Sequence, residues 1–117
     1  MDIRVKRVYA KPEASDGLRV LVDRIWPRGL KKEAAGIDWW PREIAPSSGL
    51  RQWFGHEPSR WDEFRERYFR ELESQGEMLA ELREKAGKGP LTLVFGAREE
   101  EHNNAVALKE YLEERAR

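Results

Sequence analysis

Six residues could act on a ligand together, and they fall in two groups. Asp23, Arg24 and Arg28 follow the apolar run Val20, Leu21, Val22, with Trp26 and Pro27 among them. Arg98, His102 and Asn103 follow a second apolar run, residues 91–95 (Leu-Thr-Leu-Val-Phe), which closes on Gly96. A guanidinium fork matches a carboxylate or phosphate in a bidentate way. An aspartate beside it can serve as general acid or base, or orient a hydroxyl. Histidine carries protons near neutral pH. Trp26, lying inside the polar turn, can wall a pocket or stack on a planar ligand.

Each of these also has a plainer reading. Asp23 with Arg24 and Arg28 can be an ion pair that fixes the loop after a strand, since such networks also collect at strand ends. His102 can cap or begin the last helix, with Asn103 bonding the backbone. His56, between Gly55 and Glu57-Pro58, reads as a loop residue making a structural hydrogen bond.

The elements that must position the two groups are strands. Val20, Leu21 and Val22 suit a buried strand and are read as a central one. Residues 91–95 form a second strand between two helices, the ordinary α/β rhythm. In an open α/β sheet, ligands bind just beyond the carboxyl ends of the strands. If the two runs are parallel, Asp23, Arg24, Arg28, Arg98, His102 and Asn103 converge on one edge. The first amides of the final helix add a place for an anion there.

The remaining chain supplies the scaffold. Residues 3–8 alternate in part between apolar and basic, as in a strand with one face covered. Residues 11–17 are a turn-rich loop whose length would permit a hairpin; a parallel crossover normally needs about a dozen residues or more. Residues 30–36 can make a turn or two of helix ending at Gly36, while Pro41 argues against regular helix through Trp39 and Trp40. Ser47 and Ser48 offer a cap to a short helix over 49–54, with Gly55 after it. Pro58 can open the next helix with Glu57 as cap, or Ser59 can cap it with Asp62 completing the box. Trp61, Phe64, Tyr68 and Leu72 then mark an apolar stripe. A helix over 78–86 ends at Gly87. The last helix is expected from about 102 to 116, with Ala105, Leu108, Leu112 and Ala116 inward. The expectation is a single domain over 1–117: a small three-layer α/β fold with a mostly parallel sheet flanked by helices.

Composition narrows the function. Charged residues make 38% of the chain, yet the formal net charge is zero. A protein built to coat nucleic acid usually carries a net basic field. No helix-turn-helix spacing or basic recognition helix is present, so a DNA-binding regulator is set aside. No apolar run approaches the ~18 residues of a membrane span, and no signal-peptide core opens the chain. The absence of cysteine excludes thiolate catalysis and cysteine–zinc sites. The two histidines form no metal motif, so no metal and no cofactor are expected. Five tryptophans are many for this length; most are expected in the core. The expected setting is the cytoplasm. The oligomeric state is monomer or homodimer, the latter if Trp39 and Trp40 prove exposed.

Several longer motifs resemble a known family. Val22-Asp23-Arg24-Ile25-Trp26-Pro27-Arg28-Gly29, Ala45-Pro46-Ser47, Leu50-Arg51-Gln52-Trp53-Phe54-Gly55-His56-Glu57-Pro58, Trp61…Phe64…Tyr68 and Glu101-His102-Asn103-Asn104-Ala105 are similar to the short branch of the domain of unknown function 488 family. The resemblance covers nearly the whole chain. It implies a small α/β protein with a mostly parallel sheet, and it makes the first two strands parallel rather than a hairpin. Longer relatives tend to carry Cys-His-Arg where this chain has Glu101-His102-Asn103, so their thiol chemistry does not transfer.

Two functional readings follow. In one, the chain binds a small phosphate- or carboxylate-bearing ligand at the strand ends and acts on it by acid–base or hydrolytic chemistry. Asp23 and His102 are then catalytic, and Arg24, Trp26, Arg28, Arg98 and Asn103 bind the ligand. In the other, the same pocket belongs to a non-catalytic module that senses an anion. An aspartate buried beside a histidine, with space for a reacting atom, favours the first; an aspartate tied up by arginines on both sides favours the second.

Overall fold

A computed structural model describes residues 2–115. Strands β1 (Asp2–Arg7), β2 (Leu18–Leu21) and β3 (Pro90–Phe95) form one sheet. The helices are α1 (Lys32–Ala35), α2 (Ser48–Phe54), α3 (Trp61–Glu73), α4 (Gly76–Ala86) and α5 (Asn104–Glu114). The result is an α/β domain. Ala116, expected on the inner face of the last helix, lies outside the described residues. Among the described residues, no helix is long and apolar enough to cross a membrane.

The strand order is β1-β3-β2, and both neighbours of β3 run parallel to it. The first two strands are therefore parallel to each other, with β3 between them. One expectation needs correcting: β2 is not central. It lies at the sheet border, because β3, the last strand in the chain, inserts between the first two. The outer side of β2 is still covered. The Leu21 amide donates to the Trp39 carbonyl at 3.0 Å, the Asp38 amide donates to the Arg19 carbonyl at 2.9 Å, and the Arg19 amide donates to the Asp38 carboxylate at 2.8 Å. That cover explains why β2 is as apolar as an inner strand.

The two faces of the sheet are covered differently. Ile3, Leu91, Leu93, Phe95 and Val20 share one face and join the main core with Phe64, Tyr68 and Leu72 of α3, Leu79 and Leu82 of α4, and Leu108 and Leu112 of α5. The 3.6-residue spacing of the α3 residues is what aims them all at the sheet. On the other face, Val8, Leu21 and Val94 form a smaller cluster covered by Trp26, Leu30, Ile37 and Trp40. This layer is the segment 23–41, with α1 as its one helical turn. Trp39 and Trp40 are only partly exposed, and each has a cation over its ring, Lys85 and Arg42 respectively.

The caps follow the chemistry of their residues. The Ser47 hydroxyl accepts from the Leu50 amide at the start of α2, and Gly55 closes that helix in the left-handed region. Glu57 and Ser59 cap nothing through their side chains; Pro58 opens a 3-10 turn that leads into α3. The last helix begins after its cap, Asn103, two residues later than expected.

The crossover from β1 to β2 is the unusual connection. Segment 8–17 returns across the sheet with no helix beyond the single 3-10 turn Ala14–Asp16, and polar side chains on that face of the sheet hold it. Arg4 donates to the Ser15 carbonyl at 2.6 Å, Thr92 donates to the Asp16 carbonyl at 2.7 Å, and Lys6 donates to Glu13 at 2.9 Å and to Asp16 at 3.2 Å. Arg19, 4% exposed, donates to the Asp16 carboxylate at 2.6 Å and to the carbonyls of Ala35 and Gly36. Gly17 makes the closing turn possible. Its φ is +65°, and a Cβ there would lie 2.2 Å from the Pro90 carbonyl oxygen.

Burial alone would raise the Asp16 pKa. The Glu13 amide, the Lys6 ammonium and the Arg19 guanidinium outweigh it, so the net shift is downward from 3.8. A carboxyl lowered in the folded state adds stability above its unfolded pKa and loses it as pH falls through the folded value. Asp16→Ala should therefore cost about 3–5 kcal/mol in urea denaturation at pH 7, because it strands a buried guanidinium. The parent should lose this margin on acidification below pH ~4, the ordinary carboxyl range, and the variant, which has no margin to lose, should show a flatter acid limb.

Candidate functional site

A cavity of about 180 Å³ opens at the carboxyl edge of the sheet, beyond the ends of β2 and β3. Its polar lining is Asp23 and Arg24 after β2, Arg51 on α2, His56, and Asn103 and Asn104 at the start of α5. Its apolar lining comes from Ile25, Pro46, Phe54, Phe64 and Ala97. The parallel arrangement is what brings these loops to one edge. A wider groove of about 770 Å³ lies along α2 and α3, lined by Asp62, Glu63, Glu66 and Glu71 as well as Arg67 and Arg70. It is open to solvent and mixed in charge, with Arg67 already paired to Glu63. The smaller cavity is the better candidate, because titratable groups and apolar walls converge there.

Asp23 sits at its base with both carboxylate oxygens engaged. The Gly96 amide donates to Oδ2 at 2.8 Å, and Asn104 Nδ2 donates to Oδ1 at 3.1 Å. The same Asn104 amide donates to the Val22 carbonyl at 2.7 Å. One asparagine thus ties α5 to the end of β2 and steadies the carboxylate. Gly96 is needed for this approach, since a Cβ there would lie 3.0 Å from Asp23 Oδ2. Burial pushes the Asp23 carboxyl above its ordinary 3.8; the two hydrogen bonds and the nearby charge of Arg51 offset this only in part.

Arg24 is anchored on one side. Its Nε donates to the Pro46 carbonyl at 3.1 Å and its Nη2 to the Ala45 carbonyl at 2.9 Å. Those bonds position the 45–47 segment that leads into α2. Arg51 is exposed, and among the described residues its guanidinium makes no hydrogen bond and no ion pair. His56 has φ +57°, the one non-glycine residue with positive φ among those described, and its ring lies 6.1 Å from that of Phe54.

Of the residues singled out from the sequence, Asp23, Arg24 and Asn103 line this cavity. Asn103 is occupied as the α5 cap: its Oδ1 accepts from the Val106 amide at 3.0 Å and its Nδ2 donates to the Glu99 carbonyl at 2.8 Å. Trp26, Arg28, Arg98 and His102 do not line it. Trp26 packs edge-on against Trp40, 5.4 Å between centroids, in the smaller core cluster, and its indole donates to the Leu30 carbonyl. Arg28 is exposed, and its carbonyl accepts from the Tyr9 hydroxyl. Arg98 is exposed. His102 lies 5.1 Å from the Trp61 ring, with Nδ1 3.2 Å from Glu99 Oε1. Sequence spacing placed all four just after a strand, but the chain turns away after Ile25 and again after Ala97.

Arg51 and Asn104 are not singled out by the sequence, and His56 reads there as a loop residue making a structural hydrogen bond; among the described residues its ring makes none. Arg51 and His56 lie far from Asp23 in the chain and arrive through the packing of α2. Their signal was the long motif from Leu50 to Pro58.

This arrangement defines a small α/β protein with a polar cavity at the carboxyl edge of a parallel sheet. The family model described as "Inactive DUF488-N3 subclade" matches residues 2–117, and the chain belongs to that family. Uncharacterized protein YeaO of Escherichia coli is 45% identical over 115 residues, covering 96% of this chain and 97% of that protein. Uncharacterized protein Rv3073c of Mycobacterium tuberculosis is 43% identical over 110 residues, covering 94% and 92% respectively. No solved structure matches the chain.

Asn104→Ala should leave the Val22 carbonyl and one Asp23 oxygen without their donor. The expected cost is about 1–3 kcal/mol by chemical denaturation. The Asn104 bond favours the charged carboxylate, so removing it should raise the Asp23 pKa further, as read from its carboxyl carbon in an NMR titration.

Proposed function

We propose that this protein is a non-catalytic module that binds a small anion in the cavity at the strand ends. The observation that carries the reading is Arg51. Its guanidinium lines the cavity beside Arg24 and His56, with no carboxylate paired to it among the described residues. A free guanidinium facing a recess that excludes part of the solvent suits a carboxylate, sulfate or phosphate.

Two facts favour binding over turnover. Both Asp23 oxygens already accept hydrogen bonds from the protein, and no histidine is among their partners. The matching family is itself described as inactive. The competing reading, acid–base catalysis through Asp23, draws on its raised pKa, which is a common mark of a working site. In our reading that shift follows from burial beneath the cavity. The setting we propose is the cytoplasm, with the protein as monomer or homodimer and a small anion as its partner.

Sulfate, whose charge is constant across the neutral and mildly acid range, is the probe that tests this. Calorimetric titration should show binding by the parent, at least about tenfold weaker binding by Arg51→Ala, which is ~1.4 kcal/mol, and parental binding by Arg28→Ala. Affinity should rise as pH falls, because protonating Asp23 removes a negative charge from the cavity. Asp23→Asn should lose this rise. No sulfate binding, or an Arg51→Ala variant that binds as the parent does, would refute the reading.

A further inference from the structure

A bare inorganic anion leaves most of this cavity unused, and the unused part is apolar. Phe54 and Phe64 stack with ring centroids 4.4 Å apart and planes 25° from parallel, and both line the cavity. Pro46 and Ala97 extend that wall. Ile25, also in the lining, is 56% exposed, the most exposed large apolar side chain among the described residues. On the polar side, His56 is exposed, makes no side-chain hydrogen bond among the described residues, and occupies the left-handed region at φ +57° immediately after Gly55 at +51°. A β-carbon in that region is strained, and the His56 ring lies 6.1 Å from that of Phe54 at the cavity wall.

We propose that the ligand is a single-ring aromatic carboxylate. Its ring lies against the Phe54–Phe64 wall under Ile25, and its carboxylate meets Arg51 and His56. The inference rests on the anion-binding reading and adds the chemical class. Size supports it: drug-sized ligands fill roughly 300–1,000 Å³, whereas about 180 Å³ holds one ring and its carboxylate but not a nucleotide. The wall supports it as well, since rings prefer offset or edge-on contact with other rings. His56 is then a binding residue held in place at the cost of backbone strain.

Calorimetric titration of the parent protein with benzoate, acetate, cyclohexanecarboxylate and adenosine monophosphate tests the class. Benzoate should bind about tenfold tighter than acetate and more tightly than cyclohexanecarboxylate, and adenosine monophosphate should bind no better than inorganic phosphate. Ile25→Ser should shrink the margin of benzoate over acetate. His56→Gly should weaken benzoate while raising Tm by about 4 °C, because glycine accepts the left-handed backbone without strain. Equal binding of benzoate and acetate overturns the aromatic class and leaves anion binding standing. Cyclohexanecarboxylate binding as tightly as benzoate overturns the requirement for a flat ring, and tight nucleotide binding overturns the size limit. A fall in Tm with unchanged benzoate affinity in His56→Gly removes that residue from the site. Failure of every carboxylate and of sulfate to bind takes down both readings together.

Discussion

Two parallel strands cannot be joined by a tight turn, because the chain must travel back the full length of the sheet before the second strand begins. Most α/β proteins make that journey through a helix whose apolar stripe packs on the sheet. Here segment 8–17 makes it as a loop with one 3-10 turn, Ala14–Asp16, which is possible because β2 is only four residues long and so climbs only about 13 Å. A loop of this kind has little apolar surface to bury. It is held by polar contacts instead: the sheet face beneath it presents Arg4, Lys6, Thr92 and Arg19, and the last three all donate to Asp16. The same Arg19 reaches the carbonyls that end α1. This one buried carboxylate ties the crossover to Lys6 of β1 and Arg19 of β2 and, through Arg19, to the end of α1 in the 23–41 layer.

That arrangement has a consequence at the opposite end of the sheet. With the crossover satisfied by polar contacts on one half of the face, the other half is left for Trp26, Leu30, Ile37 and Trp40. The loop after β2 is drawn to that side, and its indole joins the cluster. Of the loop that follows β2, only Asp23, Arg24 and Ile25 line the cavity. The cavity is then completed from the other side by α2, delivered by the Ser47 cap, whose hydroxyl also donates to Glu71 on α3.

Asp23 shows how a carboxylate can be central to a site without being free within it. The Gly96 amide and the Asn104 side chain fix its position by linking β2, β3 and α5 at one point. The energetic cost of burying it is lowered but not abolished by those donors, which is why its pKa stays above the ordinary value. A cation such as Arg51 nearby complements it, and an added anion would compete for the same charge.

The sequence by itself determined which main strands and helices exist and, at three glycines, where helices stop. Two apolar runs, an aromatic stripe at helical spacing, and glycines at 36, 55 and 87 are local signals, and local sterics and burial enforce them whatever the topology. The cluster around Asp23 was legible as the border of a recess at the strand ends, although of its charged residues only Asp23 and Arg24 line the cavity. Tertiary structure alone decided three things. The strand order placed β3 between β1 and β2, because backbone pairing carries no address in the sequence. The exit direction of the loop after Ile25 sent Trp26 and Arg28 away from the cavity, because that direction is set by a core cluster contributed by three separate segments. The packing of α2 over the strand ends brought in Arg51 and His56, residues whose distance from Asp23 along the chain says nothing of their distance in space.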